Sequence, residues 1–300
     1  MKLSTILTLI GIFIVLLAAG LWMGQLSYSW FPTQAAAESK LIDDLFSFLV
    51  TLGTIIFLGV TGTIVYSILF NRAGKYDFSD GPAIEGNTTL EIVWTAIPIL
   101  LVIWIAGYSY QVYEQMAVRG PMDIVHMHMP GMESAYAAPA NANTTPIEEI
   151  QVTAKQWAWI FRYPNKNVIT STELHLPVNQ RVRLSMRSED VIHGFYVPAF
   201  RLKQDIVPQR TIDFEFTPIR EGRYRLNDSQ FSGTYFAIMQ ADVIVESPED
   251  YDRWLAKAAT TKRRPAYNQA FSEYTEASEK GFGGWATIPP ASPPMVNQAS

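Results

Sequence analysis

The chain changes its hydrophobic period once, near its middle. Leu3–Met23 carries no charge, and at about 1.5 Å per residue a run of that length crosses a hydrocarbon core of ~30 Å. Leu45–Phe70 lies in a stretch with no charge between Asp44 and Arg72, and Ile92–Val112 is bounded by Glu91 and Glu114. Each run predicts a membrane-spanning helix. Pro98 falls inside the third, where neighbouring helices can satisfy the freed carbonyl. From Glu148 the period becomes two. Arg181–Met186 and Thr211–Phe216 alternate polar and apolar positions, the pattern of half-buried strands. Further strands are expected at Ile150–Ala154, Gln156–Tyr163, Glu173–Leu176, Gly194–Val197, Gly222–Leu226 and Ala237–Val245, with turns at Pro164-Asn165, Pro177-Val178-Asn179, Pro208-Gln209 and Pro218. Many short strands without intervening helices predict a β-sandwich or barrel.

These patterns divide the chain. Residues 1–40 hold an N-terminal transmembrane helix or signal segment, and 41–115 a transmembrane hairpin. Residues 116–147 form a flexible linker, 148–246 the β domain, 247–262 a C-terminal helix, and 263–300 a disordered tail. For the first segment two readings stay open. Lys2 supplies a basic start, and Ala35-Ala36-Ala37 offers a small-residue cleavage site. The apolar run is longer than the ~7–15 residues of a signal core, which favours a retained helix. The C-terminal helix is expected because Ser247-Pro248-Glu249-Asp250 provides a cap, a first-position proline and acids in the first turn. The tail mixes Arg263-Arg264-Pro265 with a Pro- and Ser-rich end, a composition that predicts disorder.

Composition adds little to this picture. The 300 residues carry a net charge of −5 and are 48% hydrophobic; the hydrophobic figure averages an apolar first third with a polar remainder. Nothing in the charge points to nucleic acid as a partner. The chain has no Cys, which excludes disulfides and thiolate metal ligands. Arg72 and Lys75, between the second and third runs, place that loop on the cytoplasmic side by the positive-inside rule. Everything after Val112 is then on the opposite, periplasmic or lumenal, side. Trp94, Trp104, Tyr108, Tyr110 and Tyr113 can anchor helices at the membrane interface or pack between them; packing is preferred for Trp104. In the linker, His126-Met127-His128-Met129-Pro130-Gly131-Met132 gathers imidazoles and soft thioethers that could bind Cu(I) loosely, although a solvated loop is the simpler reading.

Four motifs carry a resemblance to a known family. Leu90-Glu91-Ile92-Val93-Trp94-Thr95-Ala96-Ile97-Pro98 resembles Leu-Glu-x-x-Trp-Thr-x-x-Pro, the start of a core helix in subunit II of the haem–copper terminal oxidases. Its lead-in, Asp80-Gly81-Pro82-Ala83-Ile84-Glu85-Gly86-Asn87, resembles cyanobacterial members. Asp190-Val191-Ile192-His193 resembles the family's Asp-Val-x-His. Arg223–Gln240 has the outline of the family's copper loop, Cys-x3-Cys-x3-His-x2-Met. On that outline the Cys positions are Asp228 and Ser232, the intervening Glu is Gln230, the His position is Phe236, and Met239 is retained. Lys155-Gln156-Trp157-Ala158-Trp159 resembles the aromatic patch, and Gln156–Pro164 is most like bo-type quinol oxidases, which also carry Ser in place of the loop cysteines.

The resemblance implies membrane helices followed by an all-β, cupredoxin-like Greek-key sandwich. It implies a subunit of a quinol-oxidising, O2-reducing, proton-pumping oxidase of the cyanobacterial alternative type, with no redox centre in this chain. Haem and copper would lie in the partner subunit I. Partners would be subunits I and III, the lipid bilayer and membrane quinol, bound mainly by subunit I. Glu91 would stand at a proton-uptake channel, and Arg201, Lys203 and Asp205 against subunit I. Trp157, the electron acceptor in relatives that use cytochrome c, would with Trp159 be core. His193, Asp228, Gln230, Ser232, Phe236 and Met239 would be a degenerate copper centre holding no metal. The rivals are a cytochrome c oxidase subunit with direct electron transfer over Trp157, and a copper chaperone or assembly protein built on the His126–Met132 segment.

Overall fold

The computed structural model describes residues 3–72, 74, 76, 86–116, 147–281 and 287–297. Lys75, the turn Asp80–Glu85 and the segment His126–Met132 lie outside the described residues. The chain separates into two compact units, Met1–Phe31 with Ile42–Val112, and Pro32–Leu41 with Tyr113–Ser300.

The first unit is helical. Helix α1 spans Leu3–Ser27, α2 Ala37–Phe70 and α3 Thr88–Gln115, with Pro98 inside α3. Their most apolar windows have mean hydropathies of 2.6, 2.2 and 2.1, sufficient in length and composition for three membrane spans. The side chains between helices are small. A Cβ on Gly20 would come within 2.6 Å of Ile55, and one on Gly24 within 2.0 Å of Thr51. Two glycines one turn apart thus let α1 approach α2 at backbone distance. The Ser47 hydroxyl donates to the Gly24 carbonyl at 2.8 Å, and the Tyr28 hydroxyl to Asp44 Oδ1 at 2.7 Å. Phe48 of α2 meets Trp104 and Tyr108 of α3 edge-on at 5.0 and 5.1 Å, while more than half of Trp104 stays exposed. Many other apolar side chains, Phe13, Phe57 and Ile103 among them, point outward, as lipid-facing residues do.

The second unit is a sandwich of two five-stranded sheets. The strands are β1 (Glu148–Lys155), β2 (Ala158–Tyr163), β3 (Val168–Thr170), β4 (Glu173–Pro177), β5 (Val182–Ser188), β6 (His193–Val197), β7 (Leu202–Ile206), β8 (Ile212–Phe216), β9 (Gly222–Asp228) and β10 (Gln240–Glu246). One sheet has the order β3-β2-β1-β5-β8 and the other β4-β10-β9-β6-β7. Within them β1 runs parallel to β5 and β10 parallel to β4. The alternation read from sequence becomes inward and outward positions: along β5, Val182, Leu184 and Met186 are buried while Arg183, Ser185 and Arg187 are not. Together with Ile150, Phe161, Phe195, Leu226 and Val243 they form one core between the sheets. Strands β3 and β7 were not expected from sequence; β3 is short and β7 lies in a charged strip. A short helical turn at Phe236–Ile238 occupies the start of the strand expected from Ala237.

Helix α4, Pro248–Thr260, begins as expected, with Ser247 Oγ accepting from the Asp250 amide. It buries Tyr251, Leu255 and Ala258 and stacks Trp254 on His175 at 3.7 Å. The tail departs from expectation. After a two-residue strand β11 (Arg264–Pro265) comes helix α5 (Gln269–Lys280), and β12 (Met295–Val296) pairs with β11. Asn297 exchanges hydrogen bonds with Ile169 of β3, its amide donating at 2.8 Å and its Oδ1 accepting at 3.1 Å. Composition suggested disorder because it cannot register that an edge strand offers unpaired backbone groups to a neighbouring chain segment.

Residues 32–41 belong to this unit too. Ala35 and Ala36 are fully buried. The Ala35 amide donates to the Ala199 carbonyl at 3.0 Å, the Ala37 amide to Thr217 at 2.9 Å, and Ile219 back to Ala35 at 2.9 Å. Glu38 accepts from Arg181 at 2.6 Å and from the Thr217 amide at 3.1 Å. Two of the three alanines that could have been a cleavage site, Ala35 and Ala36, are thus an interior part of the sandwich, while Ala37 is exposed at the start of α2.

Candidate functional site

At one end of the sandwich, β6 brings His193 beside the C-terminal residue of β9, Asp228, because Phe195 and Asp228 are register partners. The chain then turns through Ser229–Tyr235 and returns as β10. Asp228 organises this turn. Its Oδ2 lies 2.7 Å from His193 Nδ1 and accepts from Ser232 Oγ at 2.7 Å. Its Oδ1 accepts from the amides of Gly194 at 2.7 Å and Gln230 at 3.1 Å. On the far side of the imidazole, Nε2 lies 3.0 Å from Asp190 Oδ1. The side chains of His193 and Asp228 are both fully buried. Close packing of backbone here needs Gly194, since a Cβ would sit 2.2 Å from Ser229 Oγ.

Burial opposes a charge on His193, but the hydrogen bonds to Asp190 and Asp228 outweigh it and raise the imidazole above its ordinary value. Burial likewise opposes the Asp190 carboxylate, yet bonds from His193 and from the Gln156 and Val191 amides hold it below its ordinary value. Both shifts favour an imidazolium facing the Asp190 carboxylate.

The remaining loop residues are placed as follows. Met239 is buried, and its carbonyl accepts from Trp159 Nε1 at 3.2 Å. Phe236 meets Phe231 edge-on at 5.1 Å. Gln230 reaches across to β7, its Nε2 donating to Asp205 Oδ2 at 2.8 Å. Among the described residues Asp205 Oδ1 is buried without a hydrogen-bond partner; Lys203 Nζ forms an ion pair with it at 3.8 Å, too long for a hydrogen bond. Arg201 turns its guanidinium onto the carbonyls of Pro198 and Pro32, at 2.9 and 2.7 Å.

Both tryptophans belong to the buried core but have different neighbours. Trp159 lies in β2, in the core, 5.7 Å from Phe195. Trp157 precedes the strand and packs on the loop. Its Nε1 donates to the Ser232 carbonyl at 3.1 Å, and its ring meets Tyr235 at 5.1 Å. Gly233, at φ +115°, leaves room for the indole; a Cβ would come 2.8 Å from it. Glu91 is remote from this cluster in the sequence. It sits in the first turn of α3, capped by Asn87, in an open depression with Thr88, Ile92, Thr95, Ala96 and Ile99.

The donor set does not suit a dinuclear copper centre. Such a site wants soft thiolate and imidazole ligands, and the chain has no Cys. Both oxygens of Asp228 and both nitrogens of His193 are already engaged with each other or with neighbours. Phe236 offers no donor atom, and Met239 Sδ is the one soft donor among the loop positions. Asp190, the outer partner of His193, was visible in sequence only as part of a motif. Its spacing of three from the histidine was the available signal.

Comparison with known proteins bears on most of the chain. Residues 20–112 match the family model described as cytochrome c oxidase subunit II, transmembrane domain, and residues 166–247 the one described as cytochrome c oxidase subunit II, periplasmic domain. Cytochrome c oxidase subunit 2 of Synechocystis sp. is 35% identical over 279 residues, covering 85% of this chain and 83% of the relative. Quinol oxidase subunit 2 of Bacillus subtilis is 24% identical over 216 residues, covering 70% of this chain and 60% of the relative. The crystal structure of the periplasmic domain of subunit II of cytochrome oxidase of Bradyrhizobium japonicum is 27% identical, covering 36% of this chain and 90% of that one, with a TM-score of 0.35.

Proposed function

This chain belongs to the subunit II family of the haem–copper oxidases, and on that premise we propose that it serves a complex that oxidises membrane quinol and reduces O2 to water, without a copper centre of its own. It is a membrane protein with a C-terminal cupredoxin-like domain. The observation that carries the donor assignment is the hydrogen-bonded plug Ser232–Asp228–His193–Asp190. A hard carboxylate and a hydroxyl stand where a thiolate pair would be needed to relay electrons from a soluble donor. Haem and the catalytic copper belong to subunit I in this reading. The present chain braces that subunit, offers Glu91 for proton uptake and covers its outer face through the strip that includes Arg201, Lys203 and Asp205. Asp205 Oδ1, buried and without a hydrogen bond among the described residues, supports a cationic partner from outside this chain.

The assay is electron donation to the purified complex. Quinol should sustain O2 consumption, and reduced cytochrome c should not. Fast oxidation of cytochrome c without quinol activity would end this reading in favour of the rival, direct transfer over Trp157.

A further inference from the structure

The aromatic surface around Trp157 is bracketed by the chain's own C-terminal segment. Asn268 Nδ2 donates to the Trp157 carbonyl at 3.1 Å and the Ala291 amide to the Gln156 carbonyl at 2.7 Å. Thr287 Oγ1 lies 2.6 Å from Thr234 Oγ1, next in sequence to the Gly233 on which the ring rests. Only 3% of Trp157 remains exposed.

We propose that residues 263–281 and 287–297 form a strap that closes the Trp157 face of the β unit to soluble redox proteins. Its functional consequence, that electrons arrive only through the membrane, rests on the quinol reading above; the closure itself does not.

The strap is fastened at several independent points, which a solvated tail would not be. Asn297, 5% exposed, bonds the edge strand β3 through Ile169, and its Nδ2 donates to the Thr261 carbonyl at 2.9 Å. Ala266 and Val296 bury against Ile169 and Ile160. Asn268 has a double role: while its Nδ2 holds Trp157, its Oδ1 accepts from the Phe271 amide at 2.9 Å and caps α5. The helix cap therefore fixes the side chain that holds the aromatic surface. Ala270, in the first turn of α5, joins the main core. A protein docking on Trp157 would have to break these contacts and bare the β3 edge.

The absence of Cys from the chain makes a disulfide test unambiguous. Thr234→Cys with Thr287→Cys, in the full-length chain within the assembled complex, should form a 234–287 disulfide identifiable by peptide mapping, with quinol turnover unchanged within about twofold. Asn268→Ala with Ala291→Pro should loosen the strap without removing it. Acrylamide quenching, compared with and without Trp157→Phe in each background, isolates the Trp157 signal. That signal should be shielded in the intact chain and quenched several-fold more in the loosened one. Failure of the disulfide, or equal quenching in both, overturns the strap and leaves the quinol reading untouched. Should the loosened variant not fold, the disulfide in the full-length chain decides. Fast cytochrome c oxidation by the disulfide-locked complex would overturn the closure to soluble donors, whatever quinol does.

Discussion

Asp228 is the hydrogen-bonded cross-link of the loop between β9 and β10. It ties together strand β6, the turn after β9 and the Ser232 hydroxyl through four hydrogen bonds. Asp228→Ala should therefore destabilise the β unit by about 3–5 kcal/mol, because it strands a buried imidazolium and leaves donors unpaired. Thermal unfolding followed by near-ultraviolet dichroism would check it, and an unchanged transition would remove Asp228 from this role. The titration of the cluster has a sign. His193, raised on folding, stabilises fully below the ordinary imidazole value of ~6.5, and that contribution is lost as pH rises through its folded value. Asp190, lowered on folding, stabilises above its ordinary value of ~3.9, and that is lost as pH falls through its folded value. Stability should be greatest between these limits, and His193→Gln should flatten the alkaline side of a melting-temperature profile. Trp157→Phe should cost about 1–2 kcal/mol of burial with little effect on quinol oxidation. A hundredfold fall in turnover at unchanged melting temperature would instead make Trp157 an electron carrier.

Among the elements, the connection between α1 and α2 has an unexpected part. Residues 35–37 pair with Ala199, Thr217 and Ile219 as an added piece of sandwich edge. Glu38 then anchors Arg181, which also reaches Glu215, itself bonded to Arg183. The Glu38 side chain is 5% exposed, so its charge is balanced by this network and not by water. Glu38→Ala should lower stability by about 1–3 kcal/mol, since it leaves the Thr217 amide and part of the Arg181 guanidinium unpaired. Protease sensitivity of the 32–41 segment measures the same change. The mutant should be cut faster there, and equal cutting would mean that the backbone pairs alone hold it.

For the whole molecule, three apolar helices and a sandwich with its own core meet two different solvents. The outward Leu, Ile and Phe side chains of the helices need lipid or a partner subunit, whereas the outward Arg and Glu side chains of the sheets need water. Proton uptake, if assigned to Glu91, belongs to this scale because it links one side of the membrane to a reaction held elsewhere in the complex. Glu91→Gln keeps shape and removes the ionisable group. It should slow proton-coupled turnover several-fold while leaving assembly intact. Turnover unchanged across pH 6–9 would reduce Glu91 to a carboxylate stabilised by a helix N-terminus.

What the sequence determined alone were the features set by local period and by absence. Uncharged runs long enough for a bilayer became α1, α2 and α3, alternation became β5 and β8, and Ser247-Pro248 became the start of α4, because each depends on neighbours within a few residues. The lack of Cys excluded thiolate ligands before any fold was known. Tertiary structure decided what those residues do instead. The resemblance grouped Asp228 with His193, 35 residues away, but not as a hydrogen-bonded pair, and no spacing along the chain predicts that Asn268 meets the Trp157 carbonyl. Such contacts arise from strand register and from edges that must satisfy their backbone groups. For the same reason a Pro- and Ser-rich tail, disordered by composition, becomes an ordered strap once β3 offers it free hydrogen-bonding groups.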